Sequence, residues 1–302
     1  MDLLKNLSVE DKWNSVVLDV VFTALASSAE LSKMLIYKGA RVLRLRLNEN
    51  IRASFDIDAC LSGLAINTDR PIDDAQLERI RKLVHGVVVD YFEAQEPVRY
   101  ELIQSSIAPR RKLGPHPRGW DIYLLKLNVN DLSGQEDLSN QRGELIIDIA
   151  KPELTSENSV SPLAMDGYSI QAVTLERIAG EKLRAFLSHL PNYRRKIREK
   201  TQITRRVKDL YDLVRILRRR PITNLVFWRI AGQEFRLACE SRLIDCIGLA
   251  SFKDEWEETT IAYTADKTLP NDVTLDEVNL AIEQIAGLLE KDRITPFSFP
   301  MN

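Results

Sequence analysis

The chain has few of the residues that build covalent or metal-bound frameworks. Its 302 residues include only 3 cysteines and 3 histidines. An odd number of cysteines without CxxC spacing argues against a disulfide framework and against a zinc site. The histidines form no cluster in the sequence, and we therefore assign none of them to a metal: they are His85, His116 and His189.

Long hydrophobic runs are also missing. Asp19 interrupts the apolar stretch SVVLDVVF, and the first residues lack the basic segment and apolar core of a signal peptide. We therefore expect no membrane span, no signal peptide and a cytoplasmic location. The formal net charge of −2 gives no overall preference for nucleic acid, although one domain could still carry a basic face.

The spacing of apolar residues changes near residue 165. Before this point, short alternating or continuous apolar runs predict the strands of one sheet: MLIYKG, RASFDIDACL, VRYELIQSSI, DIYLLKLNV and GELIIDIA. Helical spacing predicts the connections at about residues 13–28, 39–47 and 73–92. The prolines and glycines of 108–120 exclude a regular element there and suggest a hairpin excursion.

After residue 165 the apolar residues recur at helical spacing. Thr174 and Thr274 are predicted N-caps, and Glu277 completes a capping box with Thr274. We therefore predict an α/β (α+β) fold, with a sheet-containing domain over residues 1–165 and a helical domain over residues 166–302.

The stretch RASFDID, residues 52–58, places two carboxylates close together. On a strand, Arg52, Ser54, Asp56 and Asp58 would share one face, because alternate side chains point the same way. A half-exposed strand with a polar face is the common explanation of such a pattern. Two neighbouring carboxylates repel each other, however, unless a cation lies between them. Mg²⁺, which prefers oxygen ligands and binds phosphate oxygens, would resolve the repulsion.

The preceding stretch MLIYKGARVLRL predicts a strand, a tight turn at Gly39 and then a helix. This order directs a helix N-terminus and its free backbone N–H groups at a potential phosphate. With the carboxylates of the next strand, it has the layout of a nucleotidyltransferase core. A third carboxylate, Asp148, is available in the later strand GELIIDIA, where Glu144 shares its face; Asp148 could instead simply end that strand.

Four motifs together resemble the AbiEii/AbiGii abortive-infection toxins, a family of nucleotidyltransferases with the polymerase-β-like minimal fold. They are KGARVLR at 38–44, RASFDID at 52–58, GEKLRA at 180–185 and RVKDLYDL at 206–213. The resemblance implies a nucleoside triphosphate held by the first two motifs and by Lys182, and a metal held by the carboxylates. The residues that we predict to bind the triphosphate are Lys38, Gly39, Arg41, Arg52, Ser54 and Lys182, and the predicted metal ligands are Asp56, Asp58 and Asp148.

One departure from the family pattern lies at Ala40 and Arg41, where the family has a second glycine and a hydroxyl residue. Arg41 could replace the hydroxyl as a guanidinium fork on phosphate oxygens. Alternatively, the site could have a different nucleotide preference or be inactive.

Further catalytic residues are implied in the helical region. Lys182 borders an apolar helical stripe, a place where lysines are commonly just solvated, but the family motif assigns it a phosphate contact. Asp209 and Asp212 share one helix face. The resemblance implies that one of them pairs with the lysine in the active site, and we favour Asp209.

Residues 193–220 carry a local excess of positive charge, which indicates either a solvated helix face or an RNA-binding surface. The basic loop with Arg110 and Trp120 could add a second RNA contact. The other residues of that loop with such a role are Arg111, Lys112, His116 and Arg118.

The sequence therefore predicts a Mg²⁺-dependent nucleotidyltransferase. The resemblance implies that the acceptor is RNA, most simply the 3′ end of tRNA, and that a cognate antitoxin protein restrains the activity. Two alternatives stay open: a small-molecule nucleotidyltransferase of the antibiotic-modifying kind, and a catalytically silent module that binds RNA or a protein with a degenerate nucleotide site.

Overall fold

A mixed β-sheet forms the framework of the N-terminal half. The computed structural model describes residues 8–49, 52–63, 72–110, 122–133, 142–198 and 205–301. Its strands are β1 (Leu35–Lys38), β2 (Ile57–Leu61), β3 (Tyr100–Pro109), β4 (Ile122–Asp131), β5 (Arg142–Ala150), β6 (Val160–Met165) and β7 (Tyr168–Val173). Within these described residues they form one seven-stranded sheet in the order β3-β4-β5-β2-β1-β7-β6. β2 is parallel to β5 and β1 to β7, whereas the other neighbours are antiparallel.

The helices of this half are α1 (Val9–Ser27), α2 (Ala29–Met34), α3 (Gly39–Leu47) and α4 (Asp74–Glu93). The predicted helices at 39–47 and 73–92 are confirmed, the second within one residue at each end. The predicted helix at 13–28 begins earlier, because the Ser8 side chain accepts a hydrogen bond from the backbone of Asp11 and caps α1.

The period-two pattern of β4 explains where the core lies. Leu125, Leu127 and Val129 point to one face of the sheet and are fully buried, while the residues between them are partly exposed. Helix α4 packs against β3 and helix α1 against β5 and α4. Burial of each such leucine or valine contributes roughly 1.5–3 kcal/mol, so this alternation fixes the register of the sheet.

The strand predicted from residue 52 is shorter in the structure, where β2 begins at Ile57. The prediction of extended pairing over 52–56 is therefore wrong. The physical reason lies in Arg41, whose guanidinium donates hydrogen bonds to the carbonyls of Ser54 and Asp56. These two carbonyls thus accept hydrogen bonds from a side chain in the place where a strand would use backbone partners.

The sheet also reaches past the predicted boundary at residue 165. The hairpin of β6 and β7 pairs Met165 with Tyr168, and β7 adds to the sheet beside β1. Buried apolar residues form one continuous cluster from Trp13 to Phe297. The division into two domains stays a prediction. The irregular excursion predicted over 108–120 is wrong at its first two residues, because β3 continues to Pro109 and pairs there with β4; residues 111–120 lie outside the described residues.

The remaining named elements of the described chain are helices. They are α5 (Leu175–Leu187), α6 (Pro191–Lys196), α7 (Val207–Arg219), α8 (Leu225–Glu240), α9 (Leu249–Phe252), α10 (Trp256–Ala265) and α11 (Leu275–Lys291). The predicted cap of Thr174 and the capping box of Thr274 and Glu277 are confirmed. Helices α5 and α8 cross closely at Gly180, where a Cβ would lie 2.5 Å from the backbone nitrogen of Phe235.

Within the described part of the chain, none of the helices combines the length and the apolar composition that crossing a membrane requires.

Candidate active site

Three carboxylates meet where β2 and β5 lie side by side. Asp58 on β2 is the register partner of Asp148 on β5, and Asp56 lies just before β2. One carboxylate oxygen from each of the three lies within 4.8 Å of the others. Parallel pairing with this register places the side chains of Asp58 and Asp148 on the same face, so the sheet itself holds the two carboxylates together.

Gly39 makes room for this cluster. Its φ of +78° suits glycine, and a Cβ at this position would lie 2.0 Å from Oδ2 of Asp58. Lys38 is the register partner of Asp58 across β1 and β2. The N-terminus of α3, which begins at Gly39, therefore lies directly beside the carboxylates.

The carboxylates repel one another in a half-buried position. Burial raises the pKa of Asp58 to about 7, and the charge of Asp56 adds to this rise. Burial also raises the pKa of Asp148, although Arg110 opposes the change through an ion pair of 3.2 Å. Oδ1 of Asp148 is buried and accepts no hydrogen bond within the described residues. Clustered oxygen donors with an unsatisfied acceptor fit a divalent cation such as Mg²⁺.

Lys38 is held by a residue that the sequence did not single out. Its ammonium lies 3.2 Å from Glu153, which also pairs with Arg242 at 2.6 Å and with Arg177 at 3.4 Å. Glu153 follows β5 in the tripeptide Lys-Pro-Glu. Its position shortly after the strand that carries Asp148 was the only local indication of a role in the site. Its three partners are distant in sequence, so no local pattern predicts them.

A second charged cluster lies on α5 and α7. The ammonium of Lys182 is 3.0 Å from Asp209 and 2.5 Å from Asp212, and all three side chains are buried. The sequence favoured Asp209 as the partner of the lysine, whereas the structure pairs Lys182 with both aspartates. Burial alone would raise the pKa of each aspartate, but Arg206 beside Asp209 and Arg52 beside Asp212, together with Lys182, lower both.

Arg52 connects the two clusters. Its guanidinium makes a two-pronged contact with Asp212, at 3.0 and 2.8 Å, from the segment that leads into Asp56. Arg206 pairs with Asp209 at 2.5 Å, and its charge lowers the pKa of Asp58. The structure thus brings all the predicted carboxylates and Lys182 into one connected region, although their catalytic roles stay predictions.

Ser54 and Arg41 form hydrogen bonds within the segment that carries Asp56. The hydroxyl of Ser54 donates to Oδ1 of Asp56 at 3.1 Å. Arg41 is only 3% exposed, and its guanidinium pairs with Asp19 and donates to backbone carbonyls. The structure therefore differs from the predicted phosphate contact of Arg41, because its donors are directed at the protein.

Several cations of the basic stretch 193–220 form ion pairs, most of them with acids from distant parts of the chain. Its ion pairs include Lys196–Asp245, Arg205–Glu255, Arg206–Asp209, Arg215–Asp272 and Arg218–Glu277. Arg198, Arg219 and Arg220 are exposed and form no ion pair among the residues that the structure describes. In the second predicted RNA contact, Arg110 pairs with Asp148, and the remaining loop residues lie outside the described residues: Arg111, Lys112, His116, Arg118 and Trp120.

Two solved structures are similar in overall outline. One is the crystal structure of an antigenic nucleotidyltransferase-like protein from Paracoccidioides brasiliensis, at 14% identity and a TM-score of 0.35, covering 85% of this chain and 94% of that chain. The other is the solution structure of the antibiotic-resistance factor ANT(2'')-Ia, at 11% identity and a TM-score of 0.30, covering 83% of this chain and 95% of that chain. At these values the likeness carries no information on activity.

The family assignment comes from the sequence as a whole. No curated protein matches the chain significantly. A family model described as "Nucleotidyl transferase AbiEii toxin, Type IV TA system" matches residues 21–295. Because this match covers nearly the whole chain, the chain belongs to the AbiEii nucleotidyl transferase toxin family and is a nucleotidyltransferase.

Proposed function

We propose that the protein uses Mg²⁺ to transfer a nucleoside monophosphate from a nucleoside triphosphate to an RNA acceptor, the 3′ end of tRNA. The proposal also makes the protein the toxin of a toxin–antitoxin pair, restrained by a cognate antitoxin protein. The cluster of Asp56, Asp58 and Asp148 beside the N-terminus of α3 is the observation that carries it.

The reaction joins the acceptor hydroxyl to the α-phosphate and releases pyrophosphate. What bound Mg²⁺ supplies is neutralisation of the negative charge on the phosphate oxygens. In this proposal the N–H groups of the first turn of α3 and the ammonium of Lys38, beside Asp58, bind the phosphates. Asp148, whose pKa is raised by burial, is suited to accept the proton of the acceptor hydroxyl. Catalysis then comes mainly from positioning and charge neutralisation.

The choice of RNA as acceptor rests on the toxin family and on the exposed arginines at the end of α7. Arg219 is the last residue of this helix, 10 residues after Asp209, and Arg220 follows it as the C-cap. At 1.5 Å per residue they are about 15 Å from the charged cluster. This spacing suits a polyanion that enters the site with its end and contacts the protein again several nucleotides away.

The test uses nucleoside triphosphates labelled at the α-phosphate, supplied one at a time with Mg²⁺ and total tRNA. We expect label in the RNA with the wild-type protein and none with Asp148→Asn. Glu144→Gln is the matched control, because Glu144 lies on the same strand and face but pairs with Lys126 at 2.7 Å, away from the cluster. Label in the RNA with this control separates loss of the site from general damage to β5.

Two outcomes would contradict the proposal and favour an alternative. If the RNA stays unlabelled with all four nucleotides but still binds, the chain is a silent RNA-binding module. If the RNA neither binds nor becomes labelled, a small hydroxylated acceptor is the better assignment. In the binding arm, replacing Arg219 and Arg220 with glutamine should lower the log–log salt slope by about 0.7–0.9 for each lost phosphate contact. Arg229→Gln, which removes an arginine that pairs with Asp292, should leave the slope unchanged.

A further inference from the structure

The segment that carries Asp56 has little backbone support of its own. Residues 52–56 precede β2 and belong to no strand of the described chain. The carbonyl oxygens of Ser54 and Asp56 instead accept hydrogen bonds from Arg41, at 2.8 and 3.1 Å. A single side chain from α3 thus fixes the backbone on both sides of Phe55.

Arg41 is itself held firmly. The residue is 3% exposed, and its guanidinium also pairs with Asp19 and reaches the carbonyl of Ser15 on α1. A buried guanidinium with four acceptors has a defined orientation, because its planar fork loses few alternatives on binding. Asp19 also pairs with Arg44, at 2.6 Å, so the two arginines share one counter-charge. Of these two arginines, Arg41 alone bonds to the segment of Asp56 within the described part of the chain.

We propose that Arg41 is a positioning residue that places the carboxylate of Asp56 beside Asp58 and Asp148. The path runs from the guanidinium to the Ser54 and Asp56 carbonyls, and from the Ser54 hydroxyl to Oδ1 of Asp56 at 3.1 Å. Arg41 touches neither substrate nor metal in this role. The inference rests on the proposed metal site, since it assigns to that site a supporting residue.

The effect follows from how precisely a metal site must be built. Ligands need to be held within about 0.5 Å of their productive positions. Asp58 and Asp148 gain this from paired strands, whereas Asp56 lies outside the ladder. Removing a group that orients a ligand typically lowers metal affinity 10- to 100-fold. Arg41 therefore fixes the position of Asp56, as strand pairing fixes the positions of Asp58 and Asp148.

The test measures Mn²⁺ binding to the purified full-length protein, by electron paramagnetic resonance of the free ion, without nucleotide or RNA. Arg41→Ala should weaken binding about tenfold or more. Arg41→Lys keeps the positive charge and can still donate a hydrogen bond to one of the two carbonyls, so it should weaken Mn²⁺ binding less, by about threefold. Arg44→Ala is the matched control, because it removes the other partner of Asp19 from the same helix; its affinity should stay within about twofold of the wild type.

A double-variant cycle separates positioning from general loss of structure. In an Asp56→Ala background, Arg41→Ala should cause no further loss of Mn²⁺ affinity, because its effect acts through Asp56. Circular dichroism checks folding, and if Arg41→Ala does not fold, the cycle is carried out with Arg41→Lys. The inference is overturned if the folded Arg41 variant binds Mn²⁺ like the wild type, if Arg44→Ala loses as much, or if the losses add in the double variant. A wild-type protein that binds Mn²⁺ but labels no RNA would contradict the proposed function alone.

Discussion

Replacing Asp58 with asparagine should stabilise the protein in the absence of metal and destroy the response to metal. The pKa of Asp58 rises from 3.8 to about 7 because burial and the charge of Asp56 disfavour the ionised form. Each pH unit is worth about 1.4 kcal/mol, so ionising Asp58 costs up to ~4 kcal/mol more in the folded protein than in the unfolded chain. Between these two pKa values the folded state binds more protons, and wild-type stability therefore falls as the pH rises from about 4 to about 7.

Asparagine removes this cost while keeping nearly the same shape. The increase in unfolding free energy of Asp58→Asn over the wild type should be near zero at about pH 4 and should reach its full value above about pH 7. Added Mg²⁺ should reduce the difference in unfolding free energy between Asp58→Asn and the wild type. Only the wild type binds the ion and is stabilised by RT ln(1 + [L]/Kd), which is about 2.7 kcal/mol when the Mg²⁺ concentration is a hundredfold above Kd. Urea unfolding followed by tryptophan fluorescence, with chelator or with Mg²⁺ at each pH, measures both effects.

Asp131 provides the contrasting control for that experiment. It is buried, but it accepts hydrogen bonds from Trp13 and from the backbone of Ser133, both at 2.9 Å. Burial alone would raise its pKa, but these bonds outweigh burial and the pKa is lowered. Asp131→Asn should therefore destabilise the protein at neutral pH. If Asp58→Asn in chelator is destabilised in the same way, Asp58 is a satisfied structural carboxylate and not a metal ligand.

Two further variants test the lysine and the glycine of the site. Lys182→Met should lower the unfolding free energy by about 3–5 kcal/mol, because it leaves Asp209 and Asp212 buried without the shared ammonium. Adding Asp212→Asn should recover part of this stability but no nucleotide transfer. Recovery of transfer would show that the lysine is structural. Gly39→Ala should weaken Mn²⁺ binding, because the added Cβ would clash with Asp58. Gly86→Ala in α4, where a Cβ meets nothing within 4 Å, should leave Mn²⁺ binding unchanged and stabilise the helix by roughly 0.5–1 kcal/mol. Equal Mn²⁺ binding by both variants would contradict the placement of Asp58.

The parts of the site predicted best are those encoded by local pattern. Gly39 marks a turn with positive φ, and the carboxylates of β2 and β5 occupy positions whose strand periodicity is visible in the sequence. The mixed sheet with a helical C-terminal half follows from the same periodicities and is confirmed. The family motifs added Lys182, Asp209 and Asp212, which composition and spacing alone would have left as solvated helix residues.

The parts that were missed depend on contacts between distant residues. Arg41 pairs with Asp19 on α1. Glu153 forms ion pairs with three cations from separate parts of the chain, Lys38, Arg177 and Arg242. No local period encodes such pairs. The basic stretch 193–220 illustrates the same limit, since its local excess of charge is real in the sequence but its partners lie up to tens of residues away.

The two charged clusters have opposite character, and this division matches the chemistry of a metal-bound triphosphate. At the edge of β2 and β5, Asp56, Asp58 and Asp148 gather negative charge with little internal compensation. Burial is the main cause of the raised pKa of Asp58 and of Asp148, and the charge of Asp56 adds to both rises. On the helical side, three cations face the two carboxylates of α7: they are Arg52, Lys182 and Arg206.

A magnesium–triphosphate complex presents a cation to the first cluster and phosphate oxygens to the second. Each cluster would then be neutralised by the opposite part of the same ligand, which neither inorganic phosphate nor the metal alone can do. Arg52 belongs to the segment of Asp56 and binds Asp212 on α7, so it couples the two clusters mechanically. If the proposed function is correct, metal and nucleotide should therefore bind with positive cooperativity, which titration of nucleotide with and without Mn²⁺ would measure.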